Sequence, residues 1–302
     1  MHYAIHCRSL TKYFDNFIAV DRVDLKVPAG SIYGYLGANG AGKTTTIRML
    51  LDLIRADSGS IEMLGHKLPK SFGRLADKIG VVPGEIRLYE ELTGRETLDY
   101  FQGFLPSKPV LRENLLRDLK LKMNDLDKKV RYYSQGMKQK LLLIQAMQHN
   151  PDLLILDEPS ERLDPLIQQV LYQYISDFSN QGKTVFFSSH NLPEVEKICD
   201  HIGIIKDGRL LVQERIEDLK ARLPRQIRIY FKGNFKMSDF KKLPGVSITN
   251  HDKNLLELSV EGELGPVLQT LKKYDATDLD FPESSLEHFF MSYYQDNNGQ
   301  TV

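Results

Sequence analysis

At 302 residues the chain is longer than most single domains, so a principal domain with a smaller companion is the first expectation. Hydrophobic residues make up 41% and charged residues 26%, as in an ordinary globular protein, and forty basic residues are matched by forty acidic ones, which argues against nucleic-acid binding driven by bulk charge. Two cysteines, Cys7 and Cys199, provide neither a disulfide framework nor metal-type spacing, and no apolar run reaches the roughly 20 residues that span a bilayer.

Residues 4–36 read as short strands. Val20, Val23, Leu25 and Val27 lie in a mostly alternating segment, and Pro28-Ala29-Gly30 turns the chain into a compact β-type run over 31–36. Upstream stands LTKYFDNF, whose Tyr13 and Phe14 read by themselves as core or edge packing. The stretch GANGAGKTT, residues 37–45, then has the form G-x-x-x-x-G-K-[ST]. Its Gly37, Asn39, Gly40, Ala41 and Gly42 let the backbone curl round a phosphate with N–H groups aimed inward. Lys43 meets the β- and γ-phosphates as a point charge, the Thr44 hydroxyl is placed for Mg²⁺, and Thr45 completes the loop. Residues 43–54 place Ile47, Leu50, Leu51 and Ile54 at helical spacing, so a helix N-terminus adds its dipole to the loop's donors.

A β run over 79–82 is broken by Pro83-Gly84, and a mainly helical stretch follows to about residue 129, with Leu111, Leu115, Leu116 and Leu119 on one face. Ser134 is a good N-cap for a helix whose stripe is Met137, Leu141, Ile144 and Met147, ended by Asn150-Pro151. The apolar run 153–156 reads as a strand buried on both faces, and it delivers Asp157 and Glu158 at its carboxyl end, where each carboxylate needs a cation or a donor. Asp164-Pro165 opens a helix with Leu166, Val170, Leu171, Tyr174, Ile175 and Phe178 facing inward. Another buried strand, 184–187, ends in Ser188-Ser189-His190, Asn191 caps a short helix, and two strands flank a hairpin turn over 206–209. Strands alternating with helices predict a mostly parallel α/β sheet.

After about Pro224 the pattern changes to a βαββαβ order, indicating a small split-βαβ domain, and a closing helix opens on the capping box Ser284-x-x-Glu287 and buries Leu286, Phe289, Phe290 and Tyr293. The division is placed at 1–224 and 225–302, with an inserted helical subdomain over about 86–150.

YSQGMKQK ahead of LLILDEP, then SERLDP and the SSH ending at His190, together with the phosphate loop, resemble the nucleotide-binding subunit of an ABC transporter over roughly residues 4–220. YSQGM stands where that family has its signature, and SERLDP where it has the short loop that crosses the dimer. The closer likeness is to ATP-binding subunits of ABC-2-type exporters, through the YS-x-GM-x-QK variant, the LTGRE-x-L segment and the C-terminal appendage. The resemblance implies a P-loop NTPase of ABC type, α/β in class, with an N-terminal antiparallel β subdomain, the inserted helical subdomain and a small C-terminal α+β domain. It further implies ATP and Mg²⁺ as cofactors, with Asp157 holding the metal beside Thr44, Glu158 as general base and His190 on the γ-phosphate and the water. Tyr13 becomes a stacking platform for adenine. Ser134, Gln135, Gly136 and Met137 contact nucleotide on the other subunit of a homodimer. The implied partner is an integral membrane permease on the inner face of the cell membrane, with no nucleic acid, and export is the implied direction.

Three positions depart from the family's pattern. Gly84 followed by Glu85 stands where a glutamine is usual, leaving Glu85 as a candidate Mg²⁺ contact. Gln135 and Met137 replace Gly and Gln in the signature, and Glu161 and Arg162 replace small residues in the dimer-crossing loop. The competing readings are a soluble ABC ATPase that does not act in transport and a non-hydrolysing regulatory module. The single cassette weighs against the first. The intact Lys43, Asp157, Glu158 and His190 weigh against the second.

Overall fold

In the computed structural model, residues 2–69, 73, 75–282 and 286 are described. The chain divides into two units, 1–216 and 217–302, eight residues before the boundary read from the sequence.

In the first unit the alternating N-terminal segment forms β1 (Tyr3–Phe14), β2 (Phe17–Val23) and β3 (Lys26–Pro28). The compact run that follows is β4 (Ile32–Leu36), and the phosphate loop leads into α1 (Lys43–Leu50). β5 (Ser58–Met63) and β6 (His66–Lys67) return the chain, giving an antiparallel sheet of order β2-β1-β5-β6 with β3 on β1. β7 (Ile79–Val82) leads into the helical insertion, which consists of α2 (Gly94–Gln102), α3 (Arg112–Asp118), α4 (Met123–Leu126) and α5 (Gln135–Met147). Then come β8 (Leu153–Asp157), α6 (Pro165–Asn180), β9 (Thr184–Ser189), α7 (Leu192–Ile198), β10 (His201–Lys206) and β11 (Arg209–Arg215). The second sheet runs β11-β10-β4-β9-β8-β7, parallel except for the hairpin partner β11.

One core joins both sheets through α1. Ile47, Met49 and Leu50 pack with Ile5 and Leu10 of the antiparallel sheet and with Tyr35, Ile155 and Phe186 of the parallel one. Each such fully buried side chain contributes about 1.5–3 kcal/mol of transfer free energy. β8 and β9 are buried at every position, the signature of strands covered on both faces. Both cysteines are buried and free, and burial pushes their thiols well above the ordinary range, which makes them inert packing groups.

Two expectations change. The helix after the phosphate loop stops at Leu50, not residue 54, because Asp52 turns to a φ of 57° and Leu53 and Ile54 both donate back to the Arg48 carbonyl. The buried stripe of α6 is Ile167, Leu171, Ile175 and Phe178, whereas Leu166 is 68% exposed. Asp164 accepts the Ile167 N–H at 3.1 Å as N-cap, and that start sets the phase of the helix.

In the second unit α8 (Ile216–Arg222) begins on the last residue of the first unit. It is followed by β12 (Arg225–Phe231), α9 (Met237–Lys241), β13 (Val246–His251), β14 (Leu255–Val260), α10 (Gly265–Leu271) and β15 (Ala276–Asp280). The antiparallel order β13-β14-β12-β15 is that of a split βαβ fold. Ile227, Ile229, Phe231, Leu256, Leu258 and Val260 turn one sheet face onto Phe240, Val267 and Leu271. The closing helix expected from Ser284 to Tyr293 lies outside the described residues apart from Leu286.

Candidate functional site

β4, β9 and β8 are adjacent and parallel, so the phosphate loop, the Ser189-His190 turn and Asp157-Glu158 emerge at one edge of the sheet. Gly42 caps α1 with a φ of 108°, and a Cβ there would lie 2.7 Å from the Ala19 carbonyl oxygen, so only glycine serves. Gly40 has nothing within 4 Å of where a Cβ would stand, so the loop faces open space beside the N-terminus of α1. Ala38, Asn39 and Gly40 are exposed there, Ala41 is buried, and Thr45 is half-buried.

Lys43 is buried and donates to the Gly37 carbonyl at 2.6 Å and to Ala38 at 3.3 Å. Its ammonium also lies 3.1 Å from Glu158 Oε1. That carboxylate oxygen has no partner in hydrogen-bond geometry, so the contact is one of charge alone. Thr44 Oγ1 donates to Asp157 Oδ2 at 2.9 Å, and Ser188 Oγ donates to Asp157 Oδ1. The same Ser188 accepts the Glu158 N–H, at 3.1 Å on the hydroxyl and 3.3 Å on the carbonyl. Glu158 is thereby held at a φ of 50°, an uncommon left-handed conformation for this residue type. His190 Nδ1 stands 2.9 Å from Glu158 Oε2. An ionised carboxylate oxygen only accepts, so this contact places the proton on Nδ1. Lys43, Thr44, Asp157, Glu158 and His190 therefore form one connected cluster.

The hard oxygens of Thr44 and Asp157, together with an open cradle of backbone donors at a helix N-terminus, fit a magnesium–phosphate group by donor chemistry. A ligand oxygen or nitrogen of Glu158, Glu161 and His190 also lies within 4.8 Å of the others, so Glu161 approaches the same corner.

Gly84 comes to the cluster by backbone. β7 pairs with β8 as far as Val82 opposite Leu156, and a Cβ on Gly84 would sit 2.8 Å from Asp157 Oδ2. At the position where the family usually has a glutamine, the loop of this chain thus runs against the carboxylate itself. Glu85 has its two oxygens on Arg48 at 3.1 Å and Arg87 at 2.6 Å, not on Thr44 or Asp157. Arg87 first, then Arg48, hold its carboxyl below the usual range. As a metal contact Glu85 gains no support; it ties the loop to α1.

Tyr13 and Phe14 are each 47% exposed, against the packing expected of these aromatics by themselves. Tyr13 sits at an irregularity of the β1–β2 register, opposite Ile18, and its N–H donates to Asp57 Oδ2 at 2.6 Å. Ile18 precedes Ala19, whose carbonyl faces Gly42, so the backbone of the strand paired with Tyr13 reaches the phosphate loop.

Ser134 caps α5 by accepting the Met137 N–H at 3.2 Å. A Cβ on Gly136 would meet the Arg162 carbonyl at 3.0 Å, so the head of α5 abuts the loop after Glu158. Among the described residues, the hydrogen-bond and ion-pair partners of Lys43, Thr44, Asp157, Glu158 and His190 include none of Ser134, Gln135, Gly136 or Met137. Ser188, which sequence reasoning assigned no role, is the group that holds the Asp157 carboxylate and the Glu158 backbone N–H together. Its place depends on the register of β8 with β9, Asp157 opposite Ser188, and the SSH ending was its only trace in the sequence.

Comparison with known proteins shows the family of the chain. The family model described as "ABC transporter" matches residues 20–161. The chain is 33% identical over 312 residues to the ABC transporter ATP-binding protein YcbN of Bacillus subtilis (strain 168), covering 99% of each. It is 34% identical over 300 residues to the bacitracin transport ATP-binding protein BcrA of Bacillus licheniformis, covering 95% of this chain and 96% of that one. Among solved structures, an ATP-binding subunit of an ABC transporter superposes with a TM-score of 0.67 at 28% identity, over 72% of this chain and 92% of the other.

Proposed function

The chain belongs to the ATP-binding proteins of ABC transporters and is an ATP-hydrolysing subunit, and from this we propose that two copies close on ATP to drive a separate membrane permease, in the direction of export. The observation that carries the mechanism is the cluster in which Glu158 stands between Lys43 at 3.1 Å and His190 at 2.9 Å. Lys43 and His190, the two groups suited to meet a phosphate, both stand against the base. When ATP enters the cradle, Lys43 exchanges the Gly37 and Ala38 carbonyls and Glu158 for phosphate oxygens. His190 turns its Nδ1–H from Glu158 to the γ-phosphate. Glu158 is then free to orient the attacking water and take its proton. Mg²⁺, held by Thr44 and Asp157, would neutralise charge on the transferring phosphate. Ser188 keeps Asp157 and Glu158 in register through the step. Tyr13 stacks on adenine, and the head of α5 supplies Ser134 and Gly136 to the nucleotide held by the other copy.

The permease reading draws on a surface. Tyr89, Tyr100 and Phe104 are 55%, 44% and 68% exposed, and they form an edge-to-face ladder with ring centroids 5.3 and 5.1 Å apart. Aromatic groups left in water in this way are typical of interface anchors. Among the described residues no helix is long and apolar enough to cross a membrane, so the permease is a different chain in this reading.

The test is magnesium-dependent ATP hydrolysis by the purified chain. Glu158→Gln keeps a hydrogen-bonding side chain but loses the base, and should retain ATP binding while slowing turnover about 10²-fold. Turnover at the unmodified rate would remove Glu158 from the role.

A further inference from the structure

Glu194 has no part in the mechanism above, yet it is a carboxylate only 6% exposed. Burying a charge is costly unless it is paired or fully hydrogen-bonded. Here both oxygens accept hydroxyls: Ser189 Oγ–H donates to Oε2 at 2.7 Å, and the Tyr172 hydroxyl donates to Oε1 at 2.7 Å. Ser189 Oγ accepts the Asn191 N–H at 3.0 Å. The residues on either side of His190 are thus tied to one carboxylate.

Tyr172 carries the connection to the other half of the site. It rides on α6, and burial first, then its bond to Glu194, push its phenol well above the ordinary range. Ser160 is itself 8% exposed and lies two residues after Glu158. Its carbonyl accepts Gln168 Nε2 of α6 at 3.1 Å, and the preceding Pro159 carbonyl accepts Gln139 Nε2 of α5 at 2.9 Å. A polar relay therefore runs from the turn after Glu158, through the Ser160 carbonyl to Gln168, along one turn of α6 to Tyr172, and through Glu194 to Ser189 and the turn that holds His190.

We propose that Glu194 is a positioning residue for ATP hydrolysis, holding the His190 turn in register with the turn after Glu158 so that base and histidine act as one block. A neutral residue of the same volume would fill the space on α7. Two hydroxyl donors converging from different elements require an acceptor with an oxygen for each, which a carboxylate supplies and an amide does not. The inference rests on the assignment of Glu158 and His190 to hydrolysis.

Steady-state kinetics of the full-length chain tests it, with Glu194→Gln and with Tyr172→Phe, which removes one oxygen and keeps the ring. Each should leave KM for ATP within about twofold and lower kcat about tenfold, since displacements on the order of 1 Å at a reacting centre cost that much or more. The double variant should fall no further than the worse single one, because the relay acts as a unit. A merely structural role predicts turnover that follows the folded fraction and losses that multiply. Either that pattern, or unchanged kcat in the folded variants, overturns the proposal. If Glu194→Gln does not fold, Tyr172→Phe alone decides. If the unmodified chain hydrolyses no ATP, the fault lies with the hydrolysis reading, not the relay.

Discussion

Asp157 is 2% exposed and pinned from two sides, by Thr44 and by Ser188, so it cannot give way to a new neighbour. Gly84→Ala would place a methyl 2.8 Å from Oδ2 and 3.2 Å from Cγ. The expected outcome is a several-fold rise in the Mg²⁺ concentration that half-saturates hydrolysis, with magnesium-free ATP binding unchanged. Titrating Mg²⁺ at fixed ATP checks it, and an unaltered magnesium requirement would show that the loop can retreat. Tyr13 is the converse case, an exposed ring whose backbone is fixed by Asp57. Base–aromatic stacking is worth about 1–3 kcal/mol, so Tyr13→Ala should weaken ATP binding about tenfold, whereas Tyr13→Phe should not. A fluorescent-nucleotide titration distinguishes the two, and equal affinities in all three proteins would return Tyr13 to surface packing.

At the scale of elements, what could be read from the sequence is what local chemistry decides. The phosphate loop was legible because glycine spacing, a lysine and a following helix all lie within a few residues. The caps at Ser134 and Asp164 were legible because a cap bonds its own first turn. The split βαβ order of the second unit followed from strict alternation. What was not legible depends on register between distant strands or on the phase of a helix: the Ser188 lock, the approach of Gly84 to Asp157, the Glu194 relay and the outward face of Leu166. His149 belongs to that second group. It lies just past α5, 7% exposed, and its ring nitrogens lack hydrogen-bond partners. Burial lowers its pKa below the ordinary 6.5. Asp77 and the nearby Ile79 backbone oppose this, and Lys183 adds to it. The folded state then binds fewer protons than the unfolded state, so this stability is complete above about pH 6.5 and is lost as pH falls through the lower folded value. His149→Gln should flatten the acid limb of stability measured by urea unfolding across that window. An identical acid slope in the variant would mean that the buried ring takes up its proton without penalty.

At the scale of the whole molecule, the mechanism proposed above draws the base, the metal ligands and the histidine from one chain and Ser134 and Gly136 from a second copy. On that proposal association depends on ATP. Glu158→Gln loaded with Mg-ATP should roughly double its mass in light scattering and return to monomer on ATP removal. Placing Ser134→Asp in that background is the sharper test. Aspartate is as good an N-cap as serine, so α5 keeps its first-turn bond to Met137 and its stability, but its charge would face the partner's γ-phosphate and repel it. The expected result is a variant that binds ATP as before on its own Lys43 and remains monomeric. Persistence of the doubled mass would show that Ser134 does not meet the partner's nucleotide. A doubled mass already present without ATP would assign association to another surface, for which the unit over 217–302 is the first candidate, and truncating the chain before that unit would then separate the two contributions.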